Sequence, residues 1–505
     1  MNQKPTEAGN ANPGLTPNAI HVLERRYLLR DNHGKLTETP AQLFRRVAKT
    51  MAAVEKKRGA SPRQALVLEN RFYSMMASLD FLPNTPCLMN AGARLHQLSA
   101  CFVVDIQDNL SSIFYALSAT AKIHQTGGGT GFSFSNLRPK GDRVASTGGK
   151  ASGPLSFMRI FDSLTDTMKQ GGMRRGANMG ILRVDHPDIV DFIRMKEYPN
   201  SMRNFNLSVS VTDAFMEAER SKKEYLLLHP HSQKPAQKIN AREVFDLITA
   251  HAWKTGDPGL IFADEINRRN PTKHLGPIEA TNPCGEVPLH PWESCNLGSL
   301  NLAHFVSGPI TRAIPDWKKL KQAVRDAVRF LDNMIDASEY PLEEIREKTL
   351  ANRRIGLGVM GFAEALIWMG IPYGSKAALA MGNKLMKYIE KESVAMSREL
   401  GKARGSFPNF KGSAWHKRGY TAMRNATTTA IAPTGTLSII AGCSSGVEPL
   451  FAVSFVRTIM EGTVSSGRPE FNTSEEAMST PTLRTATPDD FQPLVDHIDL
   501  VFAGG

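Results

Sequence analysis

Apolar residues recur every three to four positions in three early stretches, and that spacing predicts helices over 19–29, 40–55 and 65–79. The third runs into the breaker Phe81-Leu82-Pro83-Asn84-Thr85-Pro86. From about Gln97 the pattern changes. Short apolar runs such as Cys101-Phe102-Val103-Val104 alternate with helical stretches over 110–124 and 154–168. Further strands are expected over 180–184, 206–211 and 428–432, and further helices over 319–336 and 359–369. Strands alternating with helices predict an α/β domain with parallel pairing. The resulting division is a disordered polar tail over 1–17, a helical region over 18–95, the α/β domain over 96–462 and a divergent Ser/Thr/Pro-rich tail over 463–505.

Composition adds little to that picture. The 505 residues are 41% hydrophobic and 22% charged, an ordinary globular balance. A net charge of +12 favours anionic partners, nucleotides among them. No run of consecutive Lys/Arg, helix-turn-helix or aromatic-studded basic sheet supports nucleic-acid binding. No segment reads as a signal peptide or membrane span, so the expected location is cytoplasmic, with no membrane partner. The five cysteines include no C-x-x-C pair, and no metal site is expected.

Chemistry concentrates at Thr281-Asn282-Pro283-Cys284-Gly285-Glu286, where an amide, a thiol and a carboxylate occupy alternate positions. In an extended segment the three would point the same way, while Gly285 permits a tight loop. A carboxylate two residues from a thiol has the reach of a general base acting beside it. On spacing alone, a surface turn with an incidental cysteine explains the segment better, since short motifs often match by chance. Three glycine-rich loops are expected, at Gly127-Gly128-Gly129-Thr130-Gly131, over 146–150 and over 170–176. Ala432-Pro433-Thr434-Gly435-Thr436-Leu437-Ser438 follows an apolar run and suits phosphate binding or an ordinary turn.

Taken together these segments resemble a known family. Asn282 to Glu286, followed by Glu293-Ser294-Cys295-Asn296-Leu297-Gly298-Ser299-Leu300-Asn301-Leu302, is similar to the finger loop and following strand of ribonucleotide reductases. Leu82 to Pro86, Ser99-Ala100-Cys101, the Gly127 loop, 169–180 and 432–438 occur in that family's order, and the resemblance spans roughly 18–460. The Asn-Pro-Cys-Gly-Glu finger and Pro-Thr-Gly-Thr turn look most like the adenosylcobalamin-dependent (class II) branch.

The resemblance implies a ten-stranded α/β barrel with a central finger loop, reducing ribonucleotides, with diphosphates as the expected substrates. Cys284 would carry a thiyl radical, Glu286 would take the 3′-hydroxyl proton, and Asn282 would hold the ribose. Cys101 and Cys295 would be the reducing dithiol, ending as a disulfide. Thr85, Ala100, Gly129, Pro433, Thr434, Gly435, Thr436 and Leu437 would line the substrate site. Asp108, Arg138, Arg143, Gln170 and Arg174 would bind a deoxynucleotide effector. For Asp108 the competing reading is a helix N-cap, and for Arg174 and Arg175 solvated surface charge. Adenosylcobalamin is the implied cofactor, an external thiol such as thioredoxin the implied reductant, and a homodimer the implied assembly.

The chain departs from the family after Gly462, and no cysteine follows Cys443 to form the family's re-reducing tail pair. The expectation is a C-terminal partner chain completing the barrel, since an open strand edge recruits one. Alternatives are the large subunit of a metal-dependent (class I) reductase and a truncated, inactive nucleotide-binding remnant.

Overall fold

The computed structural model describes residues 14–144, 148–168, 176–198, 201–450 and 452, and the backbone of 454–459 and 462–467. Of the expected terminal tails, only 14–17 and 463–467 are among them.

The early helices are Pro17–Arg26, Pro40–Lys57 and Pro62–Ala77. Each begins two or three residues before or at the apolar periodicity, because a cap and a proline set its start. Thr16, Thr39 and Ser61 each accept an N–H from the first turn, and Gln42 and Gln64 complete capping boxes. The expected 359–369 helix divides at Gly361, whose φ of 71° ends strand Ile355–Met360 before helix Phe362–Trp368 begins. The spacing missed the 29-residue helix Lys376–Arg404. Its buried face includes Ala378, Ser393, Ser397 and Gly401, and such small residues give little apolar signal.

The strands, in chain order, are β1 (Phe81–Pro83), β2 (Cys101–Val103), β3 (Gly129–Ser133), β4 (Asn178–Arg183), β5 (Phe205–Val211), β6 (Glu224–Leu228), β7 (Pro235–Asn240), β8 (Gly259–Phe262), β9 (Ala280–Thr281), β10 (Pro288–Leu289), β11 (Ser294–Asn301), β12 (Val306–Ser307), β13 (Ile314–Pro315), β14 (Ile355–Met360), β15 (Ser454–Ile459) and β16 (Gly462–Gly467). Strands β2, β3, β4, β5 and β8 pair in parallel in that order. Strand β11 joins them antiparallel through β2, pairs antiparallel with β1, and runs parallel to β14. The main sheet thus has eight strands among the described residues, against ten implied by the family. The expected 428–432 strand is a single bridge, Leu357↔Thr429, along β14. Pro433 has no N–H with which to prolong that ladder.

Side chains alternate across this curled sheet. Phe102, Phe132, Leu182, Leu207 and Val209 point outward into one core with the flanking helices. Cys101, Val103, Met179, Ile181, Cys295 and Leu297 point inward and meet Ala280, Val287 and Leu289 of the β9–β10 hairpin. The lumen is therefore filled by that hairpin, and the sequence segment singled out for its chemistry sits at the hairpin's tip.

A buried charge network fixes the helical region to the barrel. Asp332 accepts from Arg353 at 2.8 Å, Arg404 at 2.9 Å and Arg424 at 3.2 Å, while Arg404 also reaches Glu55 at 2.5 Å. Burial alone would raise the Asp332 carboxyl, but Arg353, Arg424 and Arg404 outweigh it and hold it at about 2. Burial likewise opposes Glu55, and hydrogen bonds from Arg329 and Asn333 bring it to about 2. Both pKa values are depressed by folding. Their stabilisation is therefore present above pH ~4.5 and lost as pH falls toward 2. We expect circular dichroism to record acid unfolding in that window, and Asp332→Ala, which removes a buried carboxylate shared by three arginines, to unfold at a far lower denaturant concentration. An Asp332→Ala protein as stable as the parent would count against this.

Candidate active site

The finger closes as a tight turn rather than an extended run. Gly285 takes φ 87° and its N–H bonds the Asn282 carbonyl at 3.1 Å. Asn282 and Glu286 are brought together by curling, the Asn282 amide donating to Glu286 Oε2 at 2.6 Å. The same amide nitrogen lies 3.2 Å from Cys101 Sγ, and Asn282 Oδ1 accepts the Val287 N–H at 2.9 Å. Asn282 is buried, whereas Cys284, at the tip, is exposed.

Beneath the finger, glycines make the room. A Cβ on Gly131 would lie 1.6 Å from the Thr281 carbonyl oxygen, and one on Gly129 would lie 2.7 Å from the Pro283 ring. These two glycines occupy successive inward positions of β3, so only Gly127 and Gly128 of the expected loop belong to a turn. The nearest neighbour of Gly129 is the finger itself.

Cys101 and Cys295 are direct partners across the antiparallel β2–β11 pair. Opposed residues of an antiparallel pair have Cα atoms roughly 4.5–5.5 Å apart, within the Cα range a disulfide spans. Burial pushes the Cys295 thiol well up, so it keeps its proton at neutral pH. Burial does the same to Cys87, but that residue lies in the core formed with the helical region, away from the finger. Cys443 is half-buried against the same core.

The expected substrate residues fall into two groups. Ala100 is buried beside Cys101, and its carbonyl accepts the Gly129 N–H at 3.0 Å. Pro433 and Thr434 precede the short helix Gly435–Ala441, which contains Thr436 and Leu437. Thr434 adopts φ 52° and its hydroxyl accepts the Gly446 N–H at 2.9 Å. Thr85 is linked to this group through one helix end, since Tyr27 bonds Thr85 at 3.0 Å and Arg26 donates to Thr436 at 3.1 Å. The sequence reading missed both Arg26 and Tyr27.

It also missed Asn206, whose amide donates to the Pro283 carbonyl at 2.7 Å and so holds the residue before Cys284. A signal was there to find. Strand β5 alternates Phe205, Leu207, Val209 and Val211 with Asn206, Ser208 and Ser210, a polar row where a doubly covered parallel strand is usually apolar.

Among the expected effector residues, Asp108 and Arg138 form an ion pair at 2.7 Å. Asp108 is not the helix cap. Asn109 caps Leu110–Gln125 by accepting the Ser112 N–H at 2.8 Å, leaving Asp108 to bond Arg138 and His231. Arg143 is exposed on the following loop, bridged to Lys150. Gln170, Arg174 and Arg175 lie outside the described residues. No helix among the described residues is long and apolar enough to cross a membrane.

Residues 13–96 match the family described as ribonucleotide reductase, all-alpha domain, and residues 99–487 the one described as ribonucleotide reductase, barrel domain. The chain is 50% identical over 502 residues to a vitamin B12-dependent ribonucleoside-diphosphate reductase of Thermoplasma acidophilum, covering 89% of this chain and 65% of that protein. It is 48% identical over 445 residues to a protein of the same description from Mycobacterium tuberculosis, covering 88% and 63% respectively. A ribonucleoside-diphosphate reductase subunit alpha of Chlamydia muridarum is 28% identical over 515 residues, covering 88% and 48%. The chain thus spans a little under two thirds of the length of the two more similar relatives.

Proposed function

Because the chain belongs to the ribonucleotide reductase family, matching both its all-alpha and its barrel domain, we propose that it reduces ribonucleotides to 2′-deoxyribonucleotides with adenosylcobalamin as radical source. The observation that carries this reading is the convergence at the finger. An exposed thiol lies in the turn between the two residues of a bonded amide–carboxylate pair, and that amide touches one of two cysteines opposed across neighbouring strands.

The cobalamin branch is favoured because the relatives so described are 48–50% identical, against 28% for the subunit alpha of C. muridarum. The exposure of Cys284 fits a bulky group that must reach its sulfur. When bound, adenosylcobalamin supplies the one-electron chemistry that takes the hydrogen atom from that thiol.

The remaining steps belong to this chain's own residues. Cys284, as a thiyl radical, takes the 3′ hydrogen of the ribose and returns it at the end of turnover. Glu286 accepts the 3′-hydroxyl proton, with Asn282 holding the carboxylate and the ribose in register. The 2′-hydroxyl leaves as water. The proton for that water, the proton gained at C2′ and the two electrons come from Cys101 and Cys295, which end as a disulfide, and Glu286 returns its proton to the 3′ oxygen. Thr85, Ala100, Gly129 and the 433–437 turn hold a nucleoside diphosphate, with Arg26 adding a cation beside Thr436. A deoxynucleotide at Asp108, Arg138, Arg143, Gln170 and Arg174 tunes the choice of substrate across a homodimer. An external thiol such as thioredoxin resets the dithiol.

A single-turnover experiment tests this directly. Pre-reduced protein, given cofactor and cytidine diphosphate without added thiol, should make at most one deoxynucleotide per chain. Peptide mapping should then find Cys101 joined to Cys295. Product without that disulfide would overturn the dithiol assignment.

A further inference from the structure

The turn between β6 and β7 is built from His229, Pro230, His231, Ser232, Gln233 and Lys234, and it closes on itself. The His229 N–H donates to the Lys234 carbonyl at 3.0 Å, and the Gln233 N–H to the His229 carbonyl at 2.9 Å. Nδ1 of His229 accepts the N–H groups of His231 at 3.2 Å and Ser232 at 3.3 Å. That nitrogen therefore carries no proton, so Nε2–H is left to donate to Asp142 Oδ2 at 3.1 Å. The His231 ring lies 5.8 Å from that of His229, and its Nε2 donates to Asp108 Oδ2 at 2.9 Å. Two histidines of one turn thus engage two aspartates flanking Arg138, on segments that the family resemblance implicates in effector binding.

We propose that His231 is a positioning residue of the deoxynucleotide effector site and that the 229–234 turn forms one wall of it. This rests on the effector reading of Asp108 and Arg138. A carboxylate beside a triphosphate is repelled unless donors offset its charge. Here Arg138 supplies its backbone N–H at 3.2 Å and its Nε–H at 2.7 Å, and His231 supplies the third donor. Together they fix the carboxylate's rotation, and its remaining acceptor capacity is what a deoxyribose hydroxyl would use. His229, through Asp142, holds the 138–143 loop against the same turn.

The test is titration calorimetry of dTTP and dATP into the full 505-residue chain, comparing the unaltered protein with His231→Ala, His231→Gln and Asp108→Asn. Loss of one donor to a charged acceptor should weaken effector binding roughly tenfold in His231→Ala. His231→Gln, whose amide can donate from nearly the same place, should recover most of that loss. Parental affinity in His231→Ala, or no recovery in His231→Gln, would overturn the proposal. If Asp108→Asn weakens binding while His231→Ala does not, the effector reading stands and only the role of His231 falls. If the unaltered chain binds neither nucleotide, both fall together.

Discussion

Cys284→Ser is expected to abolish ribonucleotide reduction, lowering kcat by on the order of 10⁴-fold or more, while leaving the fold intact. The serine O–H is far stronger than a thiol S–H, so a hydroxyl at this position cannot stand in for the radical carrier. Cys284 is exposed at the tip of the finger, and surface substitutions of this kind cost within about 0.5 kcal/mol. Thermal unfolding and nucleotide binding should therefore match the parent. Measurable turnover by Cys284→Ser would remove this cysteine from the reaction.

The second large effect is expected at Gly131, a residue that touches no substrate. Its added Cβ would fall 1.6 Å from the carbonyl oxygen of Thr281 and 2.8 Å from the carbonyl carbon. Both are backbone atoms, so no side chain can swing aside. Strand β3 is paired on both edges, by β2 and β4, and cannot retreat. The finger must move instead, and a misplacement of about 1 Å costs on the order of 10²-fold in rate. We expect Gly131→Ala to lose at least that in kcat and to be less stable by about 1–3 kcal/mol. Gly127→Ala is the control. That glycine has φ 83° but open space around it, so it should lose about 1 kcal/mol of stability and little activity. Equal kcat for Gly131→Ala and the parent would show that the finger is not held by β3.

What the sequence disclosed follows from which signals are local. Helix starts, the alternation of strand and helix, and the thiol–amide–carboxylate segment are all written within a few residues. The antiparallel junction that sets Cys101 opposite Cys295 is not, because those strands are far apart in the chain and register is a property of the closed sheet. Gly129 and Gly131 read as part of a glycine-rich loop because nothing nearby marks the hairpin that presses on them. Their two-residue period was the clue to a strand. The cap reading that competed for Asp108 falls because Asn109, one residue on, is equally suited to capping and takes that place. His231 and Asn206 were silent for a different reason. Each acts on a partner distant in sequence, and only folding brings those partners within hydrogen-bond distance.

The most direct test of the account is reduction of cytidine diphosphate by the purified chain in the presence of dithiothreitol and a deoxynucleotide effector. The reaction is run with and without adenosylcobalamin. We expect deoxycytidine diphosphate to form only with the cofactor present. With dithiothreitol resetting the dithiol proposed at Cys101 and Cys295, many turnovers per chain should follow. Product that forms equally well without adenosylcobalamin, or no product from protein that still binds the nucleotide, would contradict it.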